Sequence, residues 1–267
     1  MWKDKSQIKQ IADQVFLVWK QLGQTPLERL EQVRDELGIG SDVPMTYAGR
    51  LDPAAEGELL ILAGEACKRK PEFLGLDKTY QFQVLLGFKT DTLDLLGMVT
   101  NTGLYDVSYK KQDIKAVSNN LIGSHNWPYP AYSSQPVDSK PLWQWAREGE
   151  YQNLLDKKMV PLHEFKLYDI SYKNSELTNA DELIWYIELL TKKVSGDFRQ
   201  VEILQKWQTT LEKCGHKEFQ LLGFETTVSS GAYVRQIAQQ IGSILGLPTT
   251  TFSIVRTKIH LDILIKK

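Results

Sequence analysis

Residues 45–63 read MTYAGRLDPAAEGELLILA, a glycine-bracketed loop that leads into a run of apolar residues. The run at residues 58–63 predicts a strand buried on both faces, since polar side chains do not alternate along it. In the loop, Asp52 precedes Pro53, so an acidic side chain is held on a restricted backbone and faces solvent. Most Asp-Pro pairs only start a turn, and the dipeptide alone favours that interpretation.

Apolar runs on both sides of this stretch predict further strands. Residues 80–86 carry an apolar side chain at every second position, as a half-buried strand requires. Buried strands are also predicted at residues 15–19, 183–190, 219–228 and 251–259. The segment 125–140 is predicted to be a loop, because three prolines interrupt it.

Helices are predicted where apolar residues recur every three to four positions. Residues 25–28, Thr-Pro-Leu-Glu, have the form of a capping box with proline at the first helical position. The helix that follows is expected to bury Leu27, Leu30, Val33 and Leu37. Others are predicted near residues 114–121, 198–211 and 234–245, the last with Ser230 as its cap and Gly246 as its stop. Because strands and helices do not alternate strictly, the pattern predicts an α+β protein.

The composition is that of a folded protein without a strong charge bias. The 267 residues include 32 Lys and Arg against 33 Asp and Glu, which argues against indiscriminate coating of nucleic acid but leaves room for a local basic groove. The apolar runs are too short to span a membrane and the charged first residues do not form a signal peptide, so we expect a cytoplasmic protein. Apart from Cys214-x-His216, the two cysteines and four histidines show no metal-ligand spacing, and no metal site is predicted.

Several motifs occur together in one order along the chain. Gly49-Arg50-Leu51-Asp52-Pro53, followed by Glu56-Gly57 and by Gly64-Glu65-Ala66-Cys67-Lys68, resembles the catalytic segment of the TruB family of pseudouridine synthases. Further segments resemble the same family in the same order, at residues 15–27, 78–80, 87–97, 130–147, 229–235 and 255–257. One such segment would be weak evidence, but a collinear set is strong.

The resemblance implies a pseudouridine synthase fold, with a mixed, mainly antiparallel central sheet flanked by helices and loops. It implies an isomerase that converts a uridine within RNA to pseudouridine, without a cofactor or a metal. We expect one catalytic domain over residues 1–267, with excursions near 65–78 and 191–218. A short form without the C-terminal, PUA-like RNA-binding domain is also expected, because the chain stops soon after Arg256.

Site residues follow from the same resemblance. Asp52 matches the catalytic aspartate, Tyr80 the tyrosine stacked on the target base, and Arg235 the arginine paired with the aspartate. The substrate-binding candidates are Tyr47, Arg50, Lys20, Lys78 and Arg256. An aspartate that acts as a nucleophile must be ionised, and a nearby guanidinium favours its charged form.

Physical reasoning supports the pairing of Arg235 with a carboxylate. Arg235 lies in the first turns of a predicted helix, where the macrodipole disfavours cations, so an acidic partner would explain its position. The alternative is an arginine whose stem only covers the sheet, just as Tyr80 on a strand is by default a core aromatic residue.

Three positions depart from the family pattern and leave the target open. Tyr47 stands where the bacterial tRNA branch has histidine, and Arg50 stands where the family usually has a small residue or threonine. Gln21 replaces the proline that usually follows the opening lysine. We expect a monomer that acts on tRNA, at uridine 55 of the T-arm, with no obligatory protein partner. The alternatives are the same chemistry on another tRNA or ribosomal RNA uridine, and a non-catalytic RNA-binding protein that keeps the fold.

Overall fold

The computed structural model describes residues 4–5, 7–103, 109–214 and 218–261. His216, which belongs to the weak Cys-x-His pair, lies outside these residues. The described strands are β1 (Ile8–Ala12), β2 (Val15–Lys20), β3 (Met45–Ala48), β4 (Ala55–Ala63), β5 (Lys78–Leu86), β6 (Phe88–Thr90), β7 (Val99–Thr102), β8 (Gly123–Pro128), β9 (Pro136–Val137), β10 (Lys140–Pro141), β11 (Leu162–Asn179), β12 (Glu218–Val228) and β13 (Thr249–Ile259).

One large sheet organises the molecule. Its strand order is β1-β2-β4-β13-β5-β12-β11-β8, with β3 added beside β4. Neighbouring strands run antiparallel, except that β13 and β4 run parallel. Two short ladders, β6 with β7 and β9 with β10, lie outside the sheet. The prediction of an α+β fold with a mixed, mainly antiparallel sheet is confirmed.

Helices pack on the two faces of this sheet. They are α1 (Pro26–Leu37), α2 (Lys70–Leu74), α3 (Lys111–Asn119), α4 (Leu142–Arg147), α5 (Tyr151–Asp156), α6 (Ala180–Lys193), α7 (Gln200–Cys214) and α8 (Val234–Leu245), with a 3-10 helix at Gly64–Arg69. Alternate residues of the central strands serve different cores: Phe82 packs with α3 and α8, whereas Leu85 packs with α6 and α7. No helix of the described ranges is long and apolar enough to cross a membrane.

The strand predicted at residues 183–190 is wrong, because this segment lies inside α6. Asn179 and Glu182 form a capping box that starts the helix, and their spacing is a sequence signal for a helix start. Leu183, Ile187 and Leu190 are buried, and their spacing is that of one face of a helix. The apolar residues of this short segment therefore follow the helical period and not the period of a strand. The 18-residue strand β11, which precedes this helix, was not predicted.

Three smaller expectations also needed correction. The segment 125–140 is not wholly a loop, since β8 occupies Gly123–Pro128 and pairs with β11 before the first of the prolines ends it. Helix α8 begins after Tyr233 without a side-chain cap, so Ser230 is not its cap, although Gly246 ends the helix in a left-handed conformation as expected. In α1 the capping box is present, but Leu27 and Leu37 are exposed.

Candidate active site

A cleft of about 920 Å³ opens where the β3–β4 loop meets the start of α8. Seven of the eight site residues expected from sequence line it: Tyr47, Arg50, Asp52, Lys78, Tyr80, Arg235 and Arg256. Distant segments complete the walls, among them residues 132–134, 197–199 and 229–235. The cleft therefore unites motifs that are spread over most of the chain.

Arg256 binds the backbone of the loop that carries Asp52 and of the strand that follows it. The Arg256 guanidinium, on β13, donates to the backbone oxygens of Glu58 at 2.6 Å and of Arg50 at 3.0 Å. Gly57 has φ +131°, and a Cβ there would overlap the backbone of Arg256 on the neighbouring parallel strand. Only glycine permits this close approach, which fixes the path of the loop into β4.

Arg235 holds the carboxylate of Asp52 in the cleft. Arg235 Nε donates to Asp52 Oδ2 at 2.8 Å, and its two terminal nitrogens donate to the backbone oxygens of Thr92 at 2.5 Å and of Tyr132 at 3.1 Å. The arginine side chain is 3% exposed, whereas 39% of the Asp52 side chain remains accessible. The guanidinium is therefore fixed by three partners, and it orients a carboxylate that can still reach a substrate.

Asp94 is a second carboxylate of the site, and its role was not predicted from the sequence. Its Oδ2 lies 3.8 Å from Arg235 Nε, and its Oδ1 accepts from the Thr92 hydroxyl at 2.7 Å and from the Leu96 amide at 3.0 Å. Burial raises the pKa of Asp94 to about 6, against the opposing effect of Arg235 and with a further contribution from Asp52. This carboxyl can therefore change its charge near neutral pH.

The two carboxylates also explain why a buried arginine is tolerated at the second residue of α8. Burial disfavours the charge of Arg235, but Asp52 and Asp94 together hold its pKa above the ordinary value of arginine. The helix N-terminus would otherwise repel a cation. The structure thus provides the acidic partners that the position requires.

Tyr80 and Tyr233 are two of the aromatic residues that line the cleft. Tyr80, on β5, lines the cleft with 7% of its surface exposed and otherwise packs in the core beside α8. Tyr233 also lines the cleft, and its ring centroid lies 6.0 Å from the Arg235 guanidinium carbon. Burial raises the pKa of Tyr233 to about 12, with Asp52 contributing in the same direction, so the phenol stays neutral at physiological pH.

Lys20 and Lys78 bind backbone carbonyls of the protein. Lys20 is fully buried and is absent from the described lining of the cleft, and its Nζ donates to the oxygens of Ala55, Gln24 and Gln21 at 2.6, 2.7 and 3.1 Å. Lys78 lines the cleft, but its Nζ donates to the backbone oxygens of residues 74 and 76. Burial lowers the pKa of Lys20 to about 7 and that of Lys78 to about 8.

Tyr47 and Arg50 line the cleft and are less buried than the residues that surround Asp52 from the core. Tyr47 lies on β3, with Lys70 Nζ 5.6 Å from its ring centroid. Arg50 is exposed, and its guanidinium has no hydrogen-bond partner within the parts of the chain that the structure describes. Of the cations expected to bind substrate, Arg50 is thus the one whose charge is directed to solvent.

Sequence reasoning missed further groups of the site. Asp91 and Asp94 lie in the turn at residues 90–97, which the motif comparison included without giving either acid a role. Arg199 lines the cleft from the α6–α7 loop, and its sequence surroundings carry no motif that would have identified it. Among the described residues, no group of three or more His, Cys, Asp or Glu side chains could hold a metal ion.

Comparison with known proteins connects this cleft to a family. A family model described as TruB family pseudouridylate synthase, N-terminal domain, matches residues 43–183, which is more than half of the chain. A tRNA pseudouridine synthase B of Acholeplasma laidlawii is 28% identical over 248 residues, which are 93% of this chain and 69% of that protein. The Bacillus subtilis protein of the same name is 27% identical over 91% of this chain and 64% of its own length.

More distant proteins match in sequence or in fold. The tRNA pseudouridine synthase 4 of Saccharomyces cerevisiae is 25% identical, over 76% of this chain and 57% of the yeast protein. The crystal structure of a Cbf5–Nop10–Gar1 complex superimposes with a TM-score of 0.55 at 16% identity, and covers 92% of this chain and 48% of the matched one. The chain spans about two thirds of the length of its bacterial relatives.

Proposed function

Since the chain belongs to the TruB family of pseudouridylate synthases, we propose that it isomerises a uridine of RNA to pseudouridine. The proposed substrate is tRNA and the proposed target is uridine 55 of the T-arm, because several relatives are tRNA pseudouridine synthases B. The observation that carries the proposal is the Asp52–Arg235 pair, which presents an accessible carboxylate in a cleft large enough for a nucleotide.

Asp52 is the proposed catalytic residue. The reaction breaks the bond between ribose C1′ and uracil N1, turns the base over, and joins C1′ to C5; a proton leaves C5 and N1 gains one. Asp52 can serve it by attacking C1′ or by removing the proton on C2′, and both routes use the charged carboxylate. Arg235 supports either route, because its bond to Asp52 Oδ2 fixes the carboxylate and leaves Oδ1 without a partner among the described residues.

The target nucleotide must leave its stack to reach Asp52, at a cost of a few kcal/mol. Tyr80 is proposed to offset part of this cost by stacking on the base, since base–aromatic stacking contributes about 1–3 kcal/mol. Its position on a central strand suits this role, because Tyr80 packs in the core and also lines the cleft, so that its ring is held in place beside the proposed site of the base.

Arg50 and Tyr47 are proposed to contact the RNA around the target. Arg50 is exposed at the cleft and free to pair with a phosphate, which is how most protein–nucleic acid contacts position the substrate. Lys20, Lys78 and Arg256 are proposed to act differently, by fixing the loops that carry Asp52 and the cleft wall. Their charged groups are buried against backbone oxygens and cannot reach RNA without breaking those bonds.

Two cleft residues favour an alternative target for the same reaction. Tyr47 and Arg50 differ from the bacterial tRNA pattern, which favours another tRNA uridine or ribosomal RNA as the alternative substrate. A non-catalytic RNA-binding role is disfavoured, since binding alone needs no matched carboxylate and guanidinium. We also propose that the protein is a cytoplasmic monomer that needs no protein partner.

The test is tritium release from C5-labelled uridine in a tRNA transcript, with the purified protein as the only protein present. We expect release with the wild type and with Asp42→Asn, an exposed carboxylate outside the cleft, but none with Asp52→Asn. Release should stop when position 55 of the transcript is changed. Release that survives the base change would move the target elsewhere, and release by Asp52→Asn near the wild-type rate would remove Asp52 from the mechanism.

A further inference from the structure

The α6–α7 hairpin extends from the sheet between β11 and β12 and reaches the cleft with its connecting loop. Its helices pack on the core that contains Leu85 and Trp207, while Asp197, Phe198 and Arg199 of the loop line the cleft. The family model ends at residue 183, so nearly all of this hairpin lies past the matched residues. The contribution of the loop to the site is therefore not assigned by the family match.

Arg199 joins three segments at the edge of the cleft. Its Nη1 lies 2.7 Å from Asp91 Oδ2, and its guanidinium carbon lies 4.8 Å from the ring centroid of Tyr132. The Tyr132 hydroxyl donates to the same Asp91 oxygen at 2.9 Å. Because the Arg199 and Asp91 side chains are only 14% and 19% exposed, solvent weakens their attraction less than it weakens that of a surface pair.

This cluster touches the two backbone segments that hold Arg235. Tyr132 supplies one of the carbonyl oxygens that accept from Arg235, and Thr92, the neighbour of Asp91, supplies the other. Arg235 in turn holds Asp52. A clamp on Asp91 and Tyr132 therefore fixes the position of the guanidinium that orients the carboxylate, and Arg199 is connected to Asp52 through these intermediate groups.

The backbone of Arg199 has a conformation that needs support from surrounding contacts. Its φ of +59° lies in the left-handed region, which is unfavourable for a residue other than glycine. The Arg199 amide donates to Asp197 Oδ1 at 3.2 Å, and its carbonyl oxygen accepts from the Ile203 amide at 2.9 Å, at the start of α7. Such strain persists where surrounding contacts determine the conformation, and it is concentrated at functional sites.

We propose that Arg199 is a positioning residue for the isomerisation, and that it acts by clamping Asp91 and Tyr132 so that Arg235 keeps Asp52 in the reactive orientation. The inference rests on the proposed function and adds to it a residue from the α6–α7 loop. It predicts an effect on the rate of the bound complex, because Arg199 acts through groups of the protein.

The test compares Arg199→Gln and Arg199→Lys with the wild type in single-turnover tritium release at saturating enzyme, beside separate measurement of RNA affinity. We expect Arg199→Gln to lower the single-turnover rate about 10- to 100-fold, as small misplacements of a reacting group do, with RNA affinity within about threefold. Arg199→Lys keeps the charge opposite Asp91 and should restore part of the rate. Lys206→Gln, an exposed lysine of α7, is the matched control and should behave as the wild type.

A second readout does not depend on turnover. Amide hydrogen exchange of residues 90–94 and 130–134, measured without RNA, should accelerate in Arg199→Gln and not in Lys206→Gln. Unchanged rate and exchange in Arg199→Gln would overturn the inference while wild-type turnover kept the proposed function. A weaker RNA affinity with an unchanged single-turnover rate would also overturn it, and would make Arg199 an RNA contact. A wild type without turnover on any RNA would instead remove the proposed function.

Discussion

Replacement of Arg235 by methionine tests whether this guanidinium holds the site together. The variant leaves Asp94 buried beside an apolar side chain and leaves the backbone oxygens of Thr92 and Tyr132 without a donor. Asp52 also loses its partner, but it is accessible enough for water to take the place of the arginine. The change therefore acts on stability as well as on catalysis.

The size of the effect follows from the burial of each group. Removing one partner of a buried ion pair costs about 3–5 kcal/mol, and each carbonyl left without a donor costs about 1–3 kcal/mol. Hydration of Asp52 and proton uptake by Asp94 offset part of this cost. We expect Arg235→Met to lower the free energy of unfolding by about 3–5 kcal/mol at pH 7.

The loss should become smaller as the pH falls towards 5. Arg235 opposes the raised pKa of Asp94, so its removal raises that pKa further above the wild-type value of about 6. The folded variant then binds more protons than its unfolded chain near neutral pH, and its stability rises as the pH falls, by at most about 1.4 kcal/mol per pH unit. Methionine thus destabilises the protein most where Asp94 is charged.

Urea denaturation of the wild type and Arg235→Met at pH 7 and pH 5 measures both effects, provided that the slopes of the two unfolding curves agree. Tritium release by Arg235→Met is measured at urea concentrations below the one at which this variant begins to unfold. We expect no tritium release from the variant. A variant as stable as the wild type at pH 7 would refute the account of the buried network. An equal loss at both pH values would show that Asp94 does not take up the proton.

Further predictions concern groups around the same cleft. Relative to Asp94→Asn, the wild type should gain unfolding free energy as the pH falls from 6 towards 4, because the raised pKa of Asp94 makes the folded state bind more protons than the unfolded one. A difference in unfolding free energy that does not change with pH would contradict the raised pKa of Asp94. Lys20→Met should cost about 1–3 kcal/mol of stability in thermal or urea unfolding and leave RNA affinity unchanged, since Nζ bonds backbone oxygens; weakened RNA binding in a stably folded variant would return Lys20 to the substrate site. Gly57→Ala should reduce stability by several kcal/mol or prevent folding, because its Cβ would overlap the backbone of Arg256 and its φ is +131°; a wild-type melting temperature would show that the loop can shift without cost.

Local sequence signals were sufficient to predict an element where its start, its end or its apolar run is marked in its own residues. The capping box at Thr25 starts α1, the apolar run after Gly57 forms β4, and Gly246 ends α8. They failed at residues 183–190, where seven apolar residues interrupted only by Glu188 fit a buried strand as well as a helix. Burial also departed from the pattern in α1, where Arg29 is buried and Leu27 is exposed, because contacts with the rest of the chain decide which side of a short helix is covered.

The sequence alone determined the α+β class, the family resemblance and the residue types of the candidate chemistry, since strand periodicity and motif order are properties of the chain itself. The tertiary structure decided what each charged residue does. Lys20 and Arg50 carry the same charge in the sequence, yet one is buried against backbone oxygens and the other faces the cleft. Arg199 joins the site only because the fold brings the α6–α7 loop to Asp91, 108 positions away. Desolvation and partners set the behaviour of a charge, and both depend on which distant segments pack around it.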